Sequence, residues 1–187
     1  DCTGHGVPGA FVSIMAYRAL AEAVASRKDL NPGTLLDLMD HRFRSEFGRG
    51  QTDMLDGADV SLCVIDKKQG TMRYAGAKGL MFLHQANQLH TLETDRRSIG
   101  ETGIRSFVTR TCAVQPGDLL VLTSDGFADQ FGGEENKKFG KPRLRKLITE
   151  LSAYPNDILP ARLGYVLSAW QGQQEQTDDI CMLMYRI

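Results

Sequence analysis

No excess of charge marks this sequence: 22 Lys and Arg stand against 23 Asp and Glu, for a formal net charge of −1 over 187 residues. That balance excludes a general attraction to nucleic acid or to an anionic membrane surface. No run of about eighteen apolar residues occurs, so no bilayer-spanning segment and no membrane contact are expected, and no signal-peptide pattern is visible. Cysteine is scarce and scattered, as Cys2, Cys63, Cys112 and Cys181. None has the CxxC spacing of a zinc or redox site. Cys63, Cys112 and Cys181 lie in apolar, strand-like stretches and read as small core residues, which points to a reduced, cytoplasmic setting. Neither Gly-x-Ser-x-Gly nor a phosphate-binding Gly-Lys-Ser/Thr loop is present. Repeats, low-complexity stretches and long interior linkers are missing too, so residues 1–187 read as one domain.

What is present begins at the first residue. Asp1-Cys2-Thr3-Gly4-His5-Gly6-Val7-Pro8-Gly9-Ala10 sets three glycines beside a carboxylate. Glycine loses much backbone entropy on folding, so such spacing implies a sharp turn and a close approach. After it, Phe11, Ile14, Met15, Tyr17, Leu20, Ala21 and Val24 recur at helical spacing and predict an amphipathic or largely buried helix over 8–27. A second helix is expected over 33–47. Strands follow near 60–65, 71–75, 80–83, 89–92, 107–114 and 119–123. The last of these is apolar on both faces, as in the centre of a sandwich. Helices over 141–151 and 158–170 and a strand over 180–185 complete the chain. Helices, then antiparallel strands, then helices and a closing strand argue for an α+β fold.

The Asp1 corner has two counterparts, Ser124-Asp125-Gly126 and Thr177-Asp178-Asp179. Each alone is explained by turn chemistry or a solvated loop. Adjacent carboxylates repel unless a cation or hydrogen-bond donors offset them. Aspartates at strand ends, with backbone carbonyls, make the hard-oxygen ligand set that Mg²⁺ and Mn²⁺ prefer. A pair of such ions can activate water for phosphoryl hydrolysis without a nucleophilic side chain.

Four blocks carry a resemblance: residues 1–10, Asp56-Gly57-Ala58-Asp59-Val60-Ser61-Leu62, residues 122–133 around Ser124-Asp125-Gly126, and Thr177-Asp178-Asp179-Ile180. In this order they resemble the SpoIIE/RsbU-like branch of the metal-dependent (type 2C, PPM) serine/threonine protein phosphatases. The resemblance implies an α-β-β-α sandwich with two Mn²⁺ or Mg²⁺ ions, whose activated water attacks phosphoserine or phosphothreonine of a regulatory, anti-anti-sigma-like protein. By motif, Asp1 is the bridging ligand, the Cys2 carbonyl the backbone ligand beside it, and Asp125 and Asp178 further ligands, with Asp179 the lesser choice of its pair. The helix from Pro8 resembles the element that couples regulatory input to metal binding. His5 either shuttles a proton or packs the glycine-rich turn. Asp53, Asp56 and Asp59 lie where some relatives bring a carboxylate towards a third ion, although turn chemistry explains Asp56-Gly57 equally well. Asp129, Glu134 and Glu135 follow the Asp125 corner in a loop that could face substrate. His41, His84 and His90 have no ligand-like spacing.

The family also has strands before the Asp1 motif, the first ending in a metal-binding carboxylate. The expectation is therefore a piece of a longer protein, N-terminally truncated, with a sensor or receiver module upstream and weak metal binding in this chain alone. The alternative is a non-catalytic regulatory domain that keeps the fold and binds a partner protein.

Overall fold

The computed structural model describes residues 1–4, 6–47, 57–101 and 105–187. His5, Asp53 and Asp56 lie outside the described residues. The backbone falls into two compact units, Asp1–Gly79 with Glu93–Val114, and Leu80–Leu92 with Gln115–Ile187.

The first unit holds helices α1 (Gly6–Ala25) and α2 (Pro32–Phe47) and strands β1 (Val60–Asp66), β2 (Thr71–Ala77) and β5 (Arg110–Ala113). The strands form an antiparallel sheet in the order β1-β2-β5, with Leu62 opposite Ala75 and Met72 opposite Cys112. Asn31 starts α2: its Oδ1 accepts from the Thr34 amide at 3.1 Å, a first-turn donor with no partner inside the helix. Pro32 follows, with its φ already suited to a first turn. Val12, Ala16 and Ala19 of α1 and Leu36, Met39 and Phe43 of α2 pack with Ala58, Ala75 and Ala77.

Helix α1 departs from its expected orientation. Its buried stripe is Gly9, Val12, Ala16, Ala19 and Ala23, a run of small residues at helical spacing. Phe11, Ile14 and Tyr17 are exposed, and Val24 is only partly covered. Small residues let a helix backbone approach its neighbours closely, so Phe11, Ile14 and Tyr17 occupy the outer face, while Leu20 packs partly on the core. Among the described residues, α1 is the one helix long and apolar enough to cross a membrane by length and composition, where the absence of a long apolar run predicts none. Its small-residue stripe nonetheless packs into the core of this unit.

Strand β5 is shorter than the expected 107–114 because side chains capture the backbone before it. The Phe107 amide donates to Asp37 Oδ1 at 2.9 Å and the Val108 amide to Asp95 Oδ2 at 3.0 Å.

The second unit contains β3 (Leu80–Gln85), β4 (Gln88–Leu92), β6 (Leu119–Thr123) and β9 (Met182–Arg186) in the antiparallel order β4-β3-β6-β9. The inner position of β6 explains its apolar sequence, and Leu119, Leu120 and Val121 are buried. Between β6 and β9 come a short helix α3 (Gly126–Asp129), a small hairpin of β7 (Phe131–Gly132) and β8 (Lys137–Lys138), α4 (Gly140–Leu151) and α5 (Leu159–Gln171). Neither α3 nor the hairpin is evident from periodicity, because each is shorter than the window that periodicity needs. Helix α4 buries Leu144, Leu147, Ile148 and Leu151. Each such side chain contributes about 2 kcal/mol by leaving water. Phe139 stands edge-on to both Phe127 and Trp170, with ring centroids 5.2 and 5.3 Å apart. Cys181 is exposed just before β9, against the expectation of a core residue, whereas Cys63 and Cys112 are half-buried.

Candidate functional site

The first acidic corner is built by a three-residue ladder between residues 1–3 and 57–59. The Asp1 backbone nitrogen donates to the Asp59 carbonyl at 3.1 Å, and the Asp59 amide returns a bond to the Asp1 carbonyl at 2.7 Å. Two residues on, the Thr3 amide donates to the Gly57 carbonyl at 2.8 Å. Cys2 opposite Ala58 is therefore the non-bonded rung of an antiparallel pair, and its own amide and carbonyl point away from the 57–59 segment. Side chains alternate across such a ladder. Ala58 is buried and Cys2 packs on the same core, so the carboxylates of Asp1 and Asp59 share the opposite face. Asp1 is exposed and Asp59 half-buried. Ser98 Oγ donates to Asp59 Oδ1 at 2.5 Å.

Glycine is required beside this corner. Gly4 has φ of +92°, and a Cβ on Gly9 would stand 2.6 Å from the Gly4 carbonyl oxygen. The turn is folded back onto the first residues of α1, and that contact leaves no room for a side chain.

The second and third corners meet at one end of the β6–β9 pair. The register Thr123 opposite Met182 carries on one step, so that the Ser124 amide donates to the Cys181 carbonyl at 3.0 Å. Ser124 Oγ then bridges the two chains: it donates to the Asp179 carbonyl at 3.0 Å and accepts from the Cys181 amide at 3.0 Å. A Cβ on Gly126 would approach that same Asp179 carbonyl to 2.4 Å, so only glycine lets the chains come this close. Asp125 is exposed at the N-cap of α3 but makes no side-chain cap hydrogen bond. Asp178 is exposed and uses Oδ1 to accept from the Asp179 amide at 2.8 Å, which leaves its second oxygen for another partner.

Thus the fold joins Asp125 to Asp178 and Asp179 in one unit and Asp1 to Asp59 in the other. Among the described residues, neither unit contains a cluster of three or more His, Cys, Asp and Glu placed to hold a metal. The donors nevertheless suit a hard divalent cation. They are carboxylates and an outward-turned carbonyl, with no imidazole or thiolate. Two like charges directly opposite across a ladder are unfavourable unless something positive offsets them.

Other candidates take ordinary roles. Asp129 pairs with Lys138 at 2.7 Å and Glu135 with Lys137 at 2.6 Å. His84 Nε2 lies 3.2 Å from Ser152 Oγ. Two contributors escaped the sequence reading: Ser98, which carries no motif, and Ser124, whose role emerges only from the register of β6 with β9.

The model of the family "Stage II sporulation protein E (SpoIIE)" matches residues 1–187. A comparison with curated proteins gives no match. Among solved structures, the SiaA-PP2C domain of Pseudomonas aeruginosa is 28% identical with a TM-score of 0.90, covering 100% of this chain and 73% of that one. The PP2C phosphatase domain of Bacillus subtilis SpoIIE, solved with a fragment of its regulatory domain, is 17% identical with a TM-score of 0.76, covering 99% of this chain and 52% of that one. A structure of the RsbU and RsbW domains of a Mycobacterium tuberculosis protein is 22% identical with a TM-score of 0.75, covering 100% of this chain and 50% of that one. This chain spans about half the length of the latter two. The family model's match over the whole chain shows the family, and the fold likeness agrees with it: the chain belongs to the SpoIIE family of PP2C-type phosphatase domains.

Proposed function

We propose that this chain is the catalytic part of a metal-dependent protein phosphatase that hydrolyses phosphoserine or phosphothreonine on a small regulatory protein of the anti-anti-sigma type. The observation that carries the reading is the Ser124 bridge, which holds the Asp125 corner against Asp178-Asp179. A turn aspartate with no catalytic task needs no such cross-link.

In this reading Asp1, Asp125 and Asp178 supply carboxylate oxygens and Cys2 its carbonyl, with Asp179 and Asp59 in supporting positions. Bound Mg²⁺ or Mn²⁺ would supply Lewis acidity and a lowered pKa for water. The protein's own contribution is placement. The Asp1–Asp59 rung and the Ser124 bridge hold the carboxylates on backbone fixed by strands, so little ordering remains when substrate arrives. No serine or cysteine is called on as a nucleophile, in keeping with the structural duty of Ser124. Regulatory input from an upstream sensor or receiver module would enter through α1, which begins four residues after the Cys2 carbonyl.

The test is hydrolysis of p-nitrophenyl phosphate with Mn²⁺ in a protein extended upstream of Asp1, comparing wild type with Asp125→Ala. Loss of Mn²⁺-dependent turnover in the variant is the expected result. Equal rates would end the enzyme reading and leave a partner-binding domain.

A further inference from the structure

We propose that Ser98, anchored by Arg97, is a positioning residue for the Asp1–Asp59 corner, and that this anchor ties the corner to helix α2. Asp40 on α2 is buried, with 1% of its surface exposed. A carboxylate so placed is costly unless paired and hydrogen-bonded. Asp40 Oδ2 takes Arg44 at 2.6 Å and Arg97 at 3.2 Å, while Oδ1 accepts the Gly100 amide at 2.8 Å. Arg97 is itself fixed from other sides: its guanidinium lies 3.7 Å over the Phe107 ring and donates to the Arg105 carbonyl. The segment 97–100 is therefore clamped to α2 at both ends.

Between those two clamps sit the residues that grip the corner. Ile99 exchanges both backbone bonds with Ala58, at 2.9 and 3.1 Å. Ser98 Oγ reaches Asp59 Oδ1 at 2.5 Å, and the Ser98 amide is taken by Glu101 Oε2 at 2.9 Å. Asp59 in turn makes the reciprocal backbone pair with Asp1. The segment 57–59 is thus the middle strand of a small ladder, with residues 1–3 on one edge and 97–100 on the other. Ser98 bonds an Asp59 carboxylate oxygen and orients that group while its own position is set by α2. A shift of α2 is thereby transmitted to the Asp1 corner through four side chains, Asp40, Arg97, Ser98 and Asp59.

The inference rests on the phosphatase reading only for its consequence in metal binding; the linkage itself can be tested without metal. The probes are amide hydrogen exchange by NMR on the metal-free 187-residue chain and Mn²⁺ titration by calorimetry of a protein extended upstream of Asp1. With Ser98→Ala, the Asp59 amide is expected to exchange about fivefold faster, as befits the loss of one hydrogen bond. Amides in β6 and α4 should be unchanged. Mn²⁺ affinity should fall about tenfold, the usual consequence of removing a group that orients a ligand. Ser98→Thr, which keeps the hydroxyl, should restore both. Arg97→Lys keeps the charge but not the planar fork and should give the exchange change without the hydroxyl being touched. Unchanged exchange at Asp59 in both Ser98→Ala and Arg97→Lys overturns the linkage. Faster exchange at Asp59 with no loss of Mn²⁺ affinity in a protein extended upstream of Asp1 upholds the linkage and overturns its consequence for metal binding.

Discussion

Asp1 and Asp59 face each other across a reciprocal backbone pair of 3.1 and 2.7 Å, with both carboxylates on the side of the ladder away from the core. Like charges directly opposite on a ladder cost stability unless something positive offsets them. Asp59→Asn should therefore stabilise the metal-free chain by about 0.2–1 kcal/mol, and on the proposed metal reading it should weaken stabilisation by Mn²⁺. Thermal melts with and without Mn²⁺ read both signs. A variant less stable without metal would show that the opposition is already neutralised within the protein.

Gly126 and Gly164 provide a matched pair. A Cβ at Gly126 would lie 2.4 Å from the Asp179 carbonyl oxygen, a backbone atom that cannot swing aside, whereas a Cβ at Gly164 in α5 meets nothing within 4 Å. Gly126→Ala should cost about 1–3 kcal/mol, as overpacking does. Gly164→Ala should instead stabilise by about 0.5–1 kcal/mol, since alanine loses less backbone freedom in a helix. Urea denaturation of the two variants in parallel separates the effects.

Arg186 near the C-terminal end of β9 donates to the carbonyls of Gly117, Ser152 and Tyr154 at 3.1, 3.1 and 3.0 Å. Ser152 caps α4, so the guanidinium satisfies carbonyl groups that a helix end leaves without partners. Arg186→Met should destabilise the chain by about 2–3 kcal/mol, the scale of a charge-assisted bond with its partners left unpaired. Arg186→Lys should recover only part, because one ammonium cannot span these three carbonyls and Asn156 Oδ1, which the planar fork reaches together. Chemical denaturation midpoints will show whether that order holds.

Burial, with the nearby Cys112 adding to it, pushes the Cys63 thiol up to about 12 from an ordinary value of 9.0. In the unfolded chain Cys63 ionises near the lower value, while in the folded protein it stays protonated. The unfolded state thus binds fewer protons above pH 9, and stability falls as pH rises from there towards 12. The limiting slope from this one group is about 1.4 kcal/mol per pH unit. Cys63→Ala should flatten the decline, seen as a smaller loss of melting temperature between those limits. The exposed Cys181 should meanwhile react first with iodoacetamide at mildly alkaline pH.

The long elements were legible because their patterns are long. Strand β6 was placed at its observed bounds, and α2 and α4 to within a residue. What failed has local causes. Helix α1 was turned the wrong way because large apolar residues dominate a periodicity reading, while Gly9, Ala16, Ala19 and Ala23 carry the packing. Residues 107–109 look like strand, yet Asp37, Asp95 and Asn31 draw them out of the sheet. Of the site, the aspartates could be named from motif, but the clamp on Asp59 could not. It joins residues as far apart as Asp40 and Gly100, and no local pattern records such a contact.

Ser124 offers the sharpest separation of structure from chemistry at the second corner. Its Oγ both donates to the Asp179 carbonyl and accepts from the Cys181 amide, so it holds the loop carrying Asp178 and Asp179 to the end of β6. Ser124→Ala removes both bonds at a cost of about 1–3 kcal/mol. The chain remains folded, since β6 and β9 keep their ladder from Thr123 opposite Met182 to Leu119 opposite Arg186. If the bridge serves to place Asp178, the variant should need more Mn²⁺ for half-maximal p-nitrophenyl phosphate hydrolysis while retaining much of its rate at saturating ion. Asp125→Asn removes a proposed donor and should lower the rate even at saturation. A Ser124→Ala enzyme that is dead at every Mn²⁺ concentration, yet folded by circular dichroism, would assign the hydroxyl to the reaction itself and overturn its role as a bridge.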